Sequence, residues 1–100
     1  MKKHFNGLTP AEAERLALLL EELGETSQVI GKILRHGYES YSPLDPKRET
    51  NRQMLVRELG DVLAAVQLMR SACDVTKLGL DRAKEDKLTR VGKYLHHNDV

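Results

Sequence analysis

The sequence predicts an all-α fold, a helical bundle of two long helices plus a C-terminal helix. Two stretches repeat apolar residues at intervals of three and four, as amphipathic helices do, and each begins with a capping-box pattern. A third stretch near the end of the chain has a narrower apolar edge. One hundred residues suit one domain, and we expect residues 1–100 to form it.

The first helix is expected to run from Pro10 to about His36. Thr9 can cap its start while the Glu12 side chain reaches back, and proline is favoured at the first helical position. Gly37 suits the other end, because glycine readily adopts the left-handed backbone conformation that ends many helices.

Two segments are expected to be irregular. Residues 1–8 carry no periodic pattern and are predicted to form a loose arm. Residues 38–49 also lack a helical period and contain Pro43 and Pro46, which predicts a loop. A connection of this length in a small protein favours a functional role over a tight turn.

The second and third helices follow this loop. The second is expected to start after a cap at Thr50 and to reach about Ala72. We expect Leu78-Gly79-Leu80 to form a connection, Asp81 to cap the last helix, and that helix to end near His96.

Composition limits the classes of partner. The formal net charge is +1, which argues against a nucleic-acid-binding surface. No apolar run is long enough for a signal peptide or a membrane span, so a cytoplasmic protein without membrane contact is expected. Cys73 is the only cysteine, which excludes an intrachain disulfide, and we expect it to be a small buried residue.

Two acidic pairs lie inside the predicted long helices. Glu22 and Glu25 are three residues apart, as are Glu58 and Asp61, so each pair projects from one helix face together with apolar residues. One such pair alone is more often solvated surface. Two pairs in apolar stripes instead predict an oxygen-rich site that suits Mg²⁺ or Mn²⁺, because carboxylates are costly to bury without a cation.

These pairs give the chain a resemblance to a known family. Glu-Glu-x-x-Glu at Glu21–Glu25, followed on a later helix by Glu-x-x-Asp at Glu58–Asp61, resembles the motif of MazG-like all-α nucleoside triphosphate pyrophosphohydrolases. Dimeric dUTPases, dCTP pyrophosphatases and phosphoribosyl-ATP pyrophosphohydrolases belong to the same superfamily. The resemblance covers about Leu16 to Tyr94.

A second motif on the last predicted helix extends the resemblance. Lys87, Lys93 and Tyr94 match the family's closing motif, in which lysine and asparagine hold the nucleotide. Arg90 stands where the family usually has asparagine, and arginine cannot accept a hydrogen bond, so base specificity is left open. Considered alone, these residues are more often a solvated basic face.

The resemblance implies a metal-dependent nucleotide pyrophosphohydrolase. Water attacks the triphosphate, and nucleoside monophosphate and pyrophosphate are released. The expected Mg²⁺ ligands, with Mn²⁺ as the second possibility, are Glu22, Glu25, Glu58 and Asp61. Glu21 is either a base that orients the water or a solvated residue. Lys32 and His36 can touch the phosphate tail or serve only as partners of the helix dipole.

An oligomer is also expected, because each long helix carries more than one apolar face. Leu16, Leu20 and Leu23 lie on one side of the first helix, and Leu18, Val29 and Ile33 on another. A homodimer or homotetramer can bury both sides in a four-helix core. Phosphoribosyl-ATP hydrolysis and a non-catalytic dimerisation or adaptor module remain alternatives.

Overall fold

The computed structural model describes residues 5–97, and within that range the chain forms three α-helices and no strand. The helices are α1 (Pro10–His36), α2 (Asn51–Ser71) and α3 (Lys77–Val91). The all-α prediction is therefore confirmed for this range. Of the predicted arm, residues 1–4 lie outside the described residues, and residues 5–8 contain no helix.

Local capping fixes the starts of α1 and α2. The Thr9 hydroxyl accepts a hydrogen bond from the Glu12 N–H at 3.1 Å, and the Glu12 carboxylate accepts one from the Thr9 N–H at 2.7 Å. Thr50 and Gln53 repeat this exchange at 3.1 and 2.9 Å. Gly37 ends α1 with a φ of 86°, a backbone conformation that glycine adopts at little cost. These sequence predictions are confirmed.

The two long helices form an antiparallel hairpin. At one end, the Asn51 amide at the start of α2 donates a hydrogen bond to the carbonyl of Gly37, just beyond α1, at 3.0 Å. At the other end, Arg15 in α1 forms a two-pronged ion pair with Asp74, just after α2, at 2.6 and 3.0 Å. Because the start of each helix meets the end of the other, the middle of α1 faces the middle of α2.

The interior between these helices is small. Its buried apolar residues are Val29, Ala65 and Met69, and the polar residues Thr26, Asn51 and Glu58 are also buried. The Cα radius of gyration is 17.3 Å, whereas a compact chain of this length has about 13 Å. The chain is therefore an open, elongated arrangement with few side chains inside.

One side of the hairpin is apolar and exposed to solvent, and we call it the leucine face. Its residues lie about 80° to 160° around each helix from Glu22 or Glu58, and antiparallel packing turns both stripes to the same side. The leucine face consists of Leu16, Leu20, Leu23, Ile30, Leu34, Val56, Leu59 and Leu63, with exposed fractions of 72% for Leu20 and 83% for Leu34. The interior instead uses the stripe that carries the acidic residues.

The start of α3 differs from the prediction. The Thr76 hydroxyl, not the Asp81 side chain, caps this helix by accepting a hydrogen bond from the Gly79 N–H at 3.0 Å. The expected connection through residues 78–80 is therefore the first turn of α3. Asp81 lies one turn further along and pairs with Lys77 at 2.7 Å. The cap therefore lies five residues before the predicted one, at a threonine whose hydroxyl can accept the same kind of hydrogen bond.

The end of α3 also differs from the prediction. The helix ends at Val91 rather than near His96, and residues 92–94 form a turn. Within that turn the Tyr94 N–H donates to the Val91 carbonyl at 3.0 Å. No residue of α3 is buried, so no tertiary packing supports further helical turns beyond Gly92. Lys93 therefore lies beyond the helix rather than on it.

Cys73 is exposed, which contradicts the expectation that it is buried. It occupies the left-handed position of a Schellman motif at the end of α2, with a φ of 64°. In that motif the Asp74 N–H donates to the Met69 carbonyl at 2.9 Å, and the Cys73 N–H to the Arg70 carbonyl at 3.0 Å. This geometry turns the Cys73 side chain outward. Among the described residues, no helix is long and apolar enough to cross a membrane.

Candidate metal centre

The two acidic pairs meet halfway along the hairpin. Glu22 and Glu25 project from α1 toward α2, and Glu58 and Asp61 project from α2 toward α1. One carboxylate oxygen from each of the four lies within 4.8 Å of the others. Antiparallel packing of two helices with acidic residues at intervals of three is sufficient to produce this cluster.

Two oxygens in the cluster are buried without any hydrogen-bond partner. They are Oε2 of Glu22 and Oε2 of Glu58, and the Glu58 residue is only 7% exposed. Burying a carboxylate oxygen without a donor or a cation costs free energy. In native structures a buried oxygen of this kind usually has an ordered water or an ion as its partner, and here both oxygens belong to residues of the group of four carboxylates.

Burial and the nearby negative charges disfavour the charged forms of Glu22 and Glu25. Burial raises the pKa of Glu22 above the ordinary value of 4.5, and the negative charge of Glu25 raises it further. Burial also raises the pKa of Glu25, followed by the charge of Glu58 and a hydrogen bond shared with that residue. Ionising Glu22 and Glu25 beside the neighbouring carboxylates is therefore unfavourable.

The donor set fits a hard divalent cation. All four ligand atoms are carboxylate oxygens, and the cluster includes no histidine or cysteine. Oxygen-only sets suit Mg²⁺, Mn²⁺ and Ca²⁺ rather than Zn²⁺ or copper. A divalent cation would supply the positive charge that the two unpartnered oxygens lack.

A stability measurement against pH tests this electrostatic description. A carboxyl group whose pKa is raised in the folded state adds to the free energy of unfolding. Its contribution is complete below about pH 4.5 and is lost as pH rises through the raised pKa values of Glu22 and Glu25. We expect the melting temperature in a metal chelator to fall as pH rises above 4.5. The pKa of Asp74 is lowered by its hydrogen bond with Arg15, so its opposite effect appears only at lower pH.

The matched control for this measurement is Glu25→Gln, which removes one raised carboxyl group and should flatten the decline. A wild-type melting temperature that rises steadily between pH 5 and pH 8 in chelator would contradict the description.

Arg57 is a neighbour of the cluster that the sequence did not single out. Its Nη1 donates to Oε1 of Glu58 at 3.3 Å, and its Nη2 lies 3.0 Å from Oε1 of Glu49 at the end of the loop. Arg57 thus holds one oxygen of Glu58 and leaves the other facing the cluster. No sequence signal indicated this contact, because adjacent residues on a helix do not ordinarily face each other.

Of the other predicted site residues, Glu21 lies next to Glu22 on α1, whereas the closing motif on and just beyond α3 lies apart from the four carboxylates. Glu21 is exposed, and its charge raises the pKa of both Glu22 and Glu25. The basic residues of the closing motif are all exposed on α3 or just beyond it, and Arg90 pairs with Asp86 on its own helix at 2.9 Å. The basic residues are Lys87, Arg90 and Lys93, and Tyr94 of the same motif is exposed as well. No contact joins them to the carboxylates within residues 5–97.

Lys32 and His36 lie at the far end of α1 from Thr9. Both line a cavity of about 460 Å³ between the end of α1, the loop and the start of α2. Arg35, Tyr41 and Asn51 also line it, and neither Arg35 nor Asn51 was predicted to bind a ligand. Their convergence depends on how the loop folds back, which residue spacing alone cannot reveal.

Comparison with known proteins adds no further assignment. The chain matches no protein-family model, and no curated protein or solved structure is similar enough to count as a match.

Proposed function

We propose that this protein is a metal-dependent nucleoside triphosphate pyrophosphohydrolase. Its substrate is a nucleoside or deoxynucleoside triphosphate, and its products are the monophosphate and pyrophosphate. The observation that carries the proposal is the cluster of four carboxylates with two buried oxygens that lack partners. The resemblance of the two acidic motifs to MazG-like enzymes supplies the reaction.

The acidic cluster accounts for the metal in this proposal. A triphosphate is strongly anionic, and four carboxylates would repel it unless positive charge lies between them. Mg²⁺ or Mn²⁺, when bound, supplies that charge and Lewis acidity toward phosphate oxygens. Glu22, Glu25, Glu58 and Asp61 would hold the metal. Arg57 would keep Glu58 oriented by occupying its other oxygen.

Glu21 has a separate proposed role. It is exposed and close enough to the cluster for its charge to raise the pKa of Glu22 and Glu25. A carboxylate in this position can accept a proton from a water molecule on the way to the triphosphate. Glu21 therefore acts in the proposal as the base that orients the water.

A nucleotide panel tests the function directly. Purified protein should release pyrophosphate from at least one nucleoside triphosphate or from phosphoribosyl-ATP when Mg²⁺ is present, and from none in excess chelator. Including phosphoribosyl-ATP separates the two enzymatic alternatives. Release of orthophosphate instead of pyrophosphate would contradict the proposed bond cleavage, and no turnover of any substrate would favour a non-catalytic adaptor.

Metal binding by the free protein is the second expected result. Mg²⁺ at ten times its Kd should stabilise the fold by about 1.4 kcal/mol, which raises Tm by roughly 5 to 10 °C in a domain of this size. The measurement is a thermal melt without nucleotide. Sodium chloride of equal ionic strength is the control, because screening alone also weakens carboxylate repulsion. A Tm unchanged across millimolar Mg²⁺ and Mn²⁺ would contradict a preformed site.

The proposed working unit is a homodimer or a dimer of dimers. The leucine face exposes eight large apolar side chains on one side of the hairpin, more than a soluble monomer ordinarily presents in one patch. Pairing this face with the same face of a second copy would create a four-helix core. The radius of gyration of 17.3 Å supports the same assembly, because a single copy is more open than a compact domain.

A further inference from the structure

The cavity at the end of α1 is rich in positive charge. Lys32, Arg35 and His36 line it, and no aspartate or glutamate does. None of these three side chains forms an ion pair or a hydrogen bond with another residue among residues 5–97. Among the other described arginines, those at positions 15, 52, 57 and 90 pair with carboxylates, whereas Arg48, Arg70 and Arg82 form no ion pair.

The helix dipole explains this charge only in part. Basic residues in the last turn of a helix are favoured by its negative end, which accounts for Arg35 and His36. It does not account for Lys32, one turn earlier. Nor does it account for the cavity itself, whose volume of about 460 Å³ lies within the usual range for small-molecule sites.

The wall opposite α1 is held in place by hydrogen bonds. The Asn51 N–H donates to the Ser40 carbonyl at 2.9 Å, and its side chain donates to the Gly37 carbonyl at 3.0 Å. The Tyr41 ring lies 5.7 Å from the guanidinium of Arg48, which adds a third charged side chain, after Lys32 and Arg35, close to the cavity. The wall formed by Asn51 and the loop backbone near Ser40 is thus preorganised by the fold, which lowers the cost of ordering this wall around a ligand.

The cavity and the metal centre lie on the same side of α1. Lys32 follows Glu25 by seven residues, which is nearly two full turns and about 10 Å along the helix axis. A nucleotide bound at the four carboxylates through one of its phosphates is therefore long enough to reach Lys32. The group that reaches Lys32 is either another phosphate of the triphosphate or the nucleoside end of the molecule.

We propose that this cavity binds a phosphoryl group of the nucleotide through cationic side chains, without a metal ion. Lys32 and Arg35 are the main anion-binding groups, and His36 and Tyr41 complete the contact. The identity of the ligand as a nucleotide rests on the proposed function, whereas anion binding by the cavity does not. Two sources of the phosphoryl group fit the same chemistry: the tail of the triphosphate, or a second phosphate on the nucleoside side.

The test is calorimetric titration of the full chain in excess chelator with three probes. These are inorganic pyrophosphate, adenosine 3′,5′-bisphosphate and neutral adenosine. At least one of the first two should bind at least tenfold more tightly than adenosine. Lys32→Ala and Arg35→Ala should each weaken that binding by about tenfold, the effect of one charge-assisted contact. Lys84→Ala, an exposed lysine on α3, is the matched control and should leave it unchanged.

The pattern of binding identifies the source. Binding of pyrophosphate indicates a site for the triphosphate tail, and binding of the bisphosphate alone indicates a site for a second phosphate on the nucleoside. The proposal is overturned if neither anion binds more tightly than adenosine, or if Lys32→Ala and Lys84→Ala have equal effects. Because no metal is present and no bond is cleaved, this result does not depend on hydrolysis.

Discussion

Replacing Glu58 with glutamine is expected to reduce Mg²⁺-dependent pyrophosphate release by more than about 100-fold. Loss of a residue that only supports a metal ligand already lowers metal affinity or activity by about 10- to 100-fold, so loss of a ligand should exceed that range. Glu58 is the most buried of the four carboxylates, and its unpartnered oxygen faces the cluster. The amide keeps the shape of the side chain but lacks the charge. Glu25→Gln and Asp61→Asn should behave alike.

The same substitution should preserve the fold or even stabilise it in the absence of metal. It removes one negative charge from four that repel one another, and the new amide can donate a hydrogen bond to a neighbouring carboxylate. In chelator, the melting temperature of Glu58→Gln should therefore equal or exceed that of the wild type. Added Mg²⁺ should no longer raise it.

Glu85→Gln is the matched control, since Glu85 is an exposed glutamate on α3, outside the cluster. It should leave activity and Mg²⁺-dependent stabilisation unchanged. Substantial turnover by purified Glu58→Gln would exclude Glu58 from the proposed centre. A variant that loses activity because it unfolds would be recognised by its melting curve.

Much of the hairpin could be predicted because its determinants are local. The bounds of α1, the end at Gly37 and the capping boxes at Thr9 and Thr50 depend on residues within one helical turn. Convergence of the four carboxylates follows from two further facts, the interval of three within each pair and the antiparallel packing of neighbouring helices. No long-range detail was needed for that part of the site.

The last helix shows where local signals are insufficient. Thr76 and Asp81 are both good caps, and the apolar pattern between them is too weak to choose the first turn. Because no residue of α3 is buried, no tertiary packing among the described residues stabilises further helical turns up to His96. The exposed position of Cys73 depends on a left-handed turn, which cysteine adopts only when the surrounding hydrogen bonds require it.

Contacts between distant segments could not be predicted either. Arg57 reaches both Glu58 and the end of the loop at Glu49, and this depends on the path of the loop. The Arg15–Asp74 ion pair joins residues 59 positions apart in the sequence. Each involves common charged residues with several alternative partners, so composition and spacing carry no information about the pair that forms.

Subunit mixing is expected to restore activity from two inactive variants. In the proposed dimer, the carboxylates of one copy act with Lys87 of the partner, because α3 leaves Lys87 exposed and away from its own cluster. Glu25→Gln and Lys87→Ala should each be inactive as homodimers. A heterodimer of the two has one site with intact carboxylates and an intact lysine. Random exchange makes half of the dimers mixed, with one working site of two, so activity should return to about a quarter of the wild-type value.

The control mixture is Glu25→Gln with Glu58→Gln, which should remain inactive. All four carboxylates of a centre come from one chain in this structure, so a heterodimer of these two variants contains no intact cluster. Exchange should be allowed by dilution or mild denaturation before the assay. Recovery in the first mixture but not in the second requires both an oligomer and a shared site. An active, folded monomer in sedimentation at micromolar concentration would contradict both. In such a monomer the leucine face would stay exposed to solvent.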